Sequence, residues 1–129
     1  MAEEYGVILR VTFMVHIIIG FIFGLGFLLI PDFIAPMFGL SFNDPTIRAF
    51  GAMILAMTIG SILCLMTKDW ARVKVVVEIE LIWTVVGAIA IAYHIFVPPL
   101  YNVNGWILVG VLLVLFFLFL VSYLREVRS

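Results

Sequence analysis

The stretch VVVEIELIWT, residues 75–84, places Glu78 and Glu80 inside an apolar run that continues to Val97. A carboxylate at bilayer depth is expensive and marks a candidate functional position. Residues two apart on a helix point about 200° apart, so the two glutamates face different surroundings. Glu80 shares its face with Thr84, Gly87, Ile91 and His94, whereas Glu78 shares its face with Ile82, Val85 and Ile89. This pattern predicts Glu80 facing neighbouring helices and Glu78 reaching back to the membrane interface or to a basic residue there.

A matching face lies near the start of the chain, where Thr12, His16, Gly20 and Gly24 recur every four residues. Counted from Gly6 at about 1.5 Å per residue, Thr12 sits roughly 9 Å deep and His16 roughly 15 Å deep. Counted from Lys74, Glu80 sits roughly 9 Å deep and Thr84 roughly 15 Å deep. Thr58 and Ser61 come to similar depths from Thr67. The expected intramembrane cluster is therefore Arg10, Thr12, His16, Thr58, Ser61, Glu78, Glu80 and Thr84. Arg10 is expected to pair with Glu78 or Glu80 and offset their burial; the functional alternative is a titrating Glu80. His16 reads as a satisfied hydrogen-bonding group or as a ligand. Val109–Val121 has no polar side chain, so the last run is expected to add nothing to this layer and to be the one most exposed to lipid or to a partner.

A second cluster is expected at the other membrane face: Asp32, Asp44, Arg48 and His94, with Asn102 and Asn104 nearby. An Arg48 ion pair with Asp32 or Asp44 would pin the long connection; the functional reading is an anion or headgroup site at Arg48 and His94. Other chemistries fit less well. His94 lies roughly 30 Å from the side that His16 is closer to, so the two cannot ligate one haem iron. The sequence shows no nucleophile–base pattern, phosphate loop, CxxC or metal-ligand spacing. Cys64 is the single cysteine and reads as a buried, inert thiol. No metal or cofactor is expected, and catalysis by this chain alone is not expected.

The elements that must position these residues follow from composition. Of 129 residues, 66% are hydrophobic and 12% charged, about half the charged share of a soluble domain. A bilayer lets such apolar side chains face lipid. The net charge of −1, with no basic stripe, gives no nucleic-acid signature. Four apolar runs, approximately 7–30, 46–66, 75–97 and 106–124, have the length that crosses about 30 Å of hydrocarbon. The first is expected to be a retained span, since MAEEYG is acidic where a signal peptide is basic. Pro31, Asn43-Asp44-Pro45, Thr67–Trp70, Pro98-Pro99 and Asn104-Gly105 separate the runs, with Asp44 as an expected helix cap. Asp32 is expected to cap a short interfacial helix over Phe33–Phe38 that stops at Gly39. Gly20-Phe-Ile-Phe-Gly24 is a GxxxG pattern, and Ala52, Ala56 and Gly60 are expected to pack against it. The expected fold is all-α: a single polytopic membrane domain, 1–129, forming a four-transmembrane-helix bundle with a short interfacial segment between helices 1 and 2.

The stretches LLIPDFIAPMFGL and NDPTIRAFGAMILAMTIGSIL join a span ending at proline, an "FGL" loop and a span opening with Arg-x-x-Gly. Residues 20–65 thereby resemble the DoxX-like and related four-helix membrane families. The resemblance implies a four-span bundle and a link to quinone-dependent redox complexes, with no site residue carried across.

Lysine and arginine set the expected orientation. Arg10, Lys68, Arg72, Lys74, Arg125 and Arg128 lie on one side of an even-spanned bundle and Arg48 alone on the other. Both termini are therefore expected in the cytoplasm of a multi-pass plasma-membrane protein. Trp106, Tyr93 and Tyr101 would form the outer aromatic girdle, and Trp70, Tyr5 and Tyr123 the inner one. The leading functional expectation is a non-enzymatic accessory or interaction subunit, in the lipid bilayer as a homo-oligomer or with a membrane partner. The alternatives are a proton-coupled transporter or channel using Glu80, and a quinone- or lipid-handling redox subunit. A reporter fused to the C-terminus should be active only on the cytoplasmic side; activity confined to the outside would reverse the orientation.

Overall fold

The structure is a computed structural model that describes residues 4–40, 44–97 and 100–129, with Asp44 described by its backbone only. The Asp44 cap, Asn43 and the Pro98-Pro99 stop lie outside the described residues. The helices are α1 (Val7–Leu29), α2 (Pro31–Met37), α3 (Asp44–Thr67), α4 (Trp70–Phe96) and α5 (Gly105–Arg128). All but α2 are long and apolar enough to cross a membrane. The protein is an all-α membrane bundle.

Local chemistry explains the helix ends. Lys68 adopts φ 61°, and Asp69 caps α4 by accepting from the Ala71 amide at 3.1 Å. The turn from α3 to α4 is thus complete in two residues, and α4 starts at Trp70 rather than near residue 75. At the start of α1, the Gly6 amide donates to Glu126 Oε1 at 2.5 Å, so the far end of α5 is tied to the start of α1. The short helix α2 starts from Ile30 with Pro31 in its first turn, and Asp32 makes no capping bond, contrary to expectation. It ends at Gly39, φ 80°, where a side-chain carbon would lie 2.7 Å from the Asn102 amide nitrogen. Phe33 and Met37 are exposed, while Phe38 is buried against Phe23 and Phe27.

The short connections make neighbouring spans antiparallel. Helix α1 packs on α3 and α5, and α4 packs on α3 and α5, leaving α1 diagonal to α4. The tightest seam is α1–α3 and the loosest between neighbouring spans is α3–α4. Small residues make the tight seam. A methyl at Gly51 would sit 2.6 Å from the Leu28 nitrogen and 2.8 Å from the Gly24 carbonyl oxygen, and one at Gly20 would collide with the Thr58 hydroxyl. The GxxxG pattern of α1 is therefore occupied within the chain, by Gly51, Leu55 and Thr58. The expected partner stripe is displaced: Ala52 and Ala56 are exposed, and a methyl at Gly60 would meet nothing within 4 Å. One residue is about 100° of helix rotation, enough to move a stripe from seam to lipid.

The interior has two apolar clusters. One, at the end that carries the termini, is built on Leu9, Phe13, Val73, Val77, Leu115 and Phe119. The other, at the opposite end, is built on Phe27, Phe38, Ile54, Ile91, Leu108 and Leu112. Tyr5 belongs to the first cluster rather than to an aromatic girdle. It is 3% exposed and donates its hydroxyl to the Cys64 carbonyl at 2.8 Å. Burial pushes its phenol above the ordinary value, with Arg10 opposing. The last helix is buried to about the same extent as α3 and α4. Its face through Leu108, Leu112, Leu115 and Phe119 fills the core.

Gly51→Ala should destabilise the bundle by about 1–3 kcal/mol, the usual cost of overpacking. Gly60→Ala should be neutral or stabilising by up to about 1 kcal/mol, through helix propensity. Thermal unfolding of both variants in detergent checks the contrast.

Candidate functional site

A layer of polar side chains lies between the two apolar clusters. Thr12, Thr58, Ser61, Glu80 and Thr84 are 0% exposed and His16 is 2% exposed. Helix geometry satisfies much of this layer locally. Thr12 donates to the Ile8 carbonyl at 2.8 Å, Thr58 to Ile54 at 2.8 Å, and Thr84 to Glu80 at 2.6 Å. Such four-residue back-bonding lets a hydroxyl sit in an apolar helix without a tertiary partner.

Bonds between helices centre on His16. Its Nδ1 lies 2.6 Å from Ser61 Oγ on α3, and its Nε2 lies 3.7 Å from Glu80 Oε2 on α4. The imidazole thus bridges the diagonal of the bundle. Trp83, one turn along α4, donates its indole N–H to Glu80 Oε2 at 2.9 Å. The other carboxylate oxygen, Glu80 Oε1, is buried with no hydrogen-bond partner among the described residues. The Phe119 ring packs edge-on against His16 at 5.8 Å between centroids.

The expected pairing of Arg10 with a glutamate does not occur. Glu80 faces His16, while Glu78 lies 3.9 Å from Lys74 Nζ and accepts from the Tyr123 hydroxyl at 3.1 Å. Because α4 begins at Trp70, Lys74 is already on the helix one turn before Glu78 and reaches it first. Arg10 is on α1, which makes no backbone approach to α4; the imidazole of His16, held by Ser61, reaches towards Glu80 across that gap.

The last helix contributes after all. Ser122 is buried, with its hydroxyl 3.0 Å from Thr12 Oγ1 and 2.7 Å from the Leu118 carbonyl; one of the two hydroxyls donates across the helices in place of its bond to its own helix. It falls one residue beyond the run of apolar positions that ends at Val121. Its depth gives the signal: in an antiparallel α5 it returns to the level of Thr12. Trp83 was legible too, three residues from Glu80 on one face.

Among the described residues, no contact joins Asp32 to His94. No ion pair joins Arg48 to Asp32 among the described residues; Arg48 Nη1 donates to the Leu28 carbonyl at 2.5 Å, closing the end of α1. The Asp44 side chain lies outside the described residues. His94 Nδ1 is buried with no hydrogen-bond partner among the described residues, and its ring packs on Tyr93 at 5.0 Å. The asparagines hold the loop instead: Asn102 and Asn104 both donate their side-chain amides to the Met37 carbonyl, at 3.1 and 2.8 Å.

Ser61, His16 and Glu80 are the residue types of an acyl-transfer triad, an arrangement no sequence spacing announced. Here it holds helices together. Ser61 is 0% exposed, and Glu80 stands beyond hydrogen-bond distance from the ring. No carbonyl reaches the Ser61 oxygen unless α1 and α3 part. Facing one another, the buried groups offset the cost that either would carry alone.

The sequence matches no protein-family model, no curated protein and no solved structure.

Removing either His16 or Glu80 should cost more than removing both would add. In a double-mutant cycle of His16→Gln and Glu80→Gln, thermal unfolding in detergent should give a coupling energy of about 0.5–3 kcal/mol. The cycle of Arg10→Gln with Glu80→Gln should be additive within about 0.5 kcal/mol.

Proposed function

We propose that this protein is a non-enzymatic accessory or interaction subunit of the plasma membrane, with both termini in the cytoplasm, that packs one helix against a helix of a membrane partner or of a second copy. One observation carries the reading. Ala52, Ala56 and Gly60 form a small-residue stripe at four-residue spacing, unoccupied by the chain's own helices, on a face that also exposes Met53, Ile59 and Leu63. In lipid, apolar surface alone does not drive helices together; close backbone approach at small residues does. The six-to-one division of lysine and arginine supports the orientation.

The interior gives less support to the transport reading. Glu80 already faces His16 and Trp83. Between it and the far end of the bundle lie Phe23, Phe27, Phe38 and Phe50, packed ring against ring. A proton leaving Glu80 towards that end would cross apolar side chains. The implied DoxX-like link to redox complexes is compatible with an accessory role and adds no site to it.

A photo-crosslinking residue at position 56 or 60 should give a discrete adduct in native membranes, either a dimer of this chain or a heteromer. The same residue at 18 or 22, on the lipid face of α1, should not. Equal labelling from all four positions would sink the reading.

A further inference from the structure

A cavity of about 360 Å³ lies where the start of α1 meets the end of α5, at the membrane face that carries the termini. Glu4, Gly6, Val7, Ser122, Arg125 and Glu126 are among its lining residues. Two carboxylates and one guanidinium thus border one space. They do not pair with each other. Among the described residues, no ion pair or hydrogen bond engages the Arg125 side chain, and none joins it to Glu4 or Glu126. Glu126 is fixed at the cavity wall, because its Oε1 accepts from the Gly6 amide.

Unlike charges that border one cavity without touching are complementary to a ligand that carries both charges itself. The level of the cavity says where such a ligand comes from. Arg125 and Glu126 directly follow the apolar run that ends at Leu124, and Gly6 directly precedes α1. The cavity therefore lies at the ends of two spans, in the layer of lipid headgroups rather than of acyl chains. Val7, on its rim, is 69% exposed, which leaves the cavity open sideways to lipid. A phospholipid can thus enter by its headgroup and keep its chains in the membrane.

The lining also selects the headgroup. Phosphate oxygens match the planar fork of Arg125. A primary ammonium brings three donors for the carboxylate oxygens of Glu4 and Glu126. A quaternary ammonium brings none and is recognised by aromatic faces, and no aromatic side chain lines this cavity among the described residues. An anionic headgroup would meet the two carboxylates with no cation to answer them.

We infer that this cavity binds a phosphoethanolamine zwitterion, carried by a phospholipid, with its phosphate at Arg125 and its ammonium between Glu4 and Glu126. The bound lipid bridges α1 and α5 beside the Gly6–Glu126 bond. Specificity resides in the pairing of both charges at once, since either charge alone meets only half of the lining.

The full chain, purified in an uncharged detergent, would be titrated with phosphatidylethanolamine, phosphatidylcholine and phosphatidylglycerol of identical acyl chains, with bound lipid counted by native mass spectrometry. One ethanolamine lipid per chain is expected, held about tenfold more tightly than either of the others, equivalent to 1.4 kcal/mol. Arg125→Gln should weaken the ethanolamine and choline lipids alike. Glu126→Gln should lower the ethanolamine lipid to the level of the choline lipid. Should that variant fail to fold, Glu4→Gln, at an exposed side chain, should narrow the gap in the same direction. Glycerophosphoethanolamine, the same headgroup without chains, should displace the lipid only at higher concentration; displacement at equal concentration would overturn the lipid as the carrier. Equal binding of the three lipids, tighter binding of phosphatidylglycerol, or a preference that no variant alters would overturn the inference.

Discussion

A wholly buried carboxylate has to be answered from within the chain. Glu80 is 0% exposed, and lipid offers it no donor. Trp83 on the same helix donates to Glu80, and from across the bundle His16 on α1 turns one ring nitrogen to Ser61 on α3 and the other towards Glu80 on α4, 3.7 Å away. Three of the four spans meet at this imidazole. Ser122 and Thr12 tie in the last one a turn away.

That meeting depends on backbone approach. The His16–Ser61 distance of 2.6 Å requires α1 and α3 to lie close, and Gly20 and Gly51 permit it. The same closeness leaves α3 further from α4, where the seam is loose and a groove remains. Tight packing on one side of α3 and openness on the other are thus one arrangement seen from two sides. The polar bridge also divides the interior into two apolar clusters, each closed differently: by Tyr5 and Glu126 at the end with the termini, and by Asn102, Asn104 and α2 at the other.

At the end opposite the termini, polar side chains close the helix ends. Arg48 donates to the Leu28 carbonyl at the end of α1, and two asparagine amides share the carbonyl of Met37. Each interaction replaces water at a helix end, where backbone groups lack partners within the helix.

Periodicity and length determined much by themselves. Four spans, the facing of Glu80 and the depth of Thr12, His16, Ser61 and Thr84 follow from 1.5 Å and 100° per residue, quantities local to each helix. Which residues touch is not local. The partner of Glu80 depended on the diagonal placement of α1, and Lys74 reached Glu78 only because α4 began at Asp69's cap. Ala52, Ala56 and Gly60 looked fit for the α1 seam, yet Gly51, Leu55 and Thr58 took it, because rotation about a helix axis is set by packing against all its neighbours at once. Ser122 joined the layer through antiparallel register, a property of two helices together. The sequence alone determined where along each helix a polar group sits; only the tertiary structure decided which other group it meets, since helix rotation and neighbour choice minimise the cost of the whole bundle rather than of any one span.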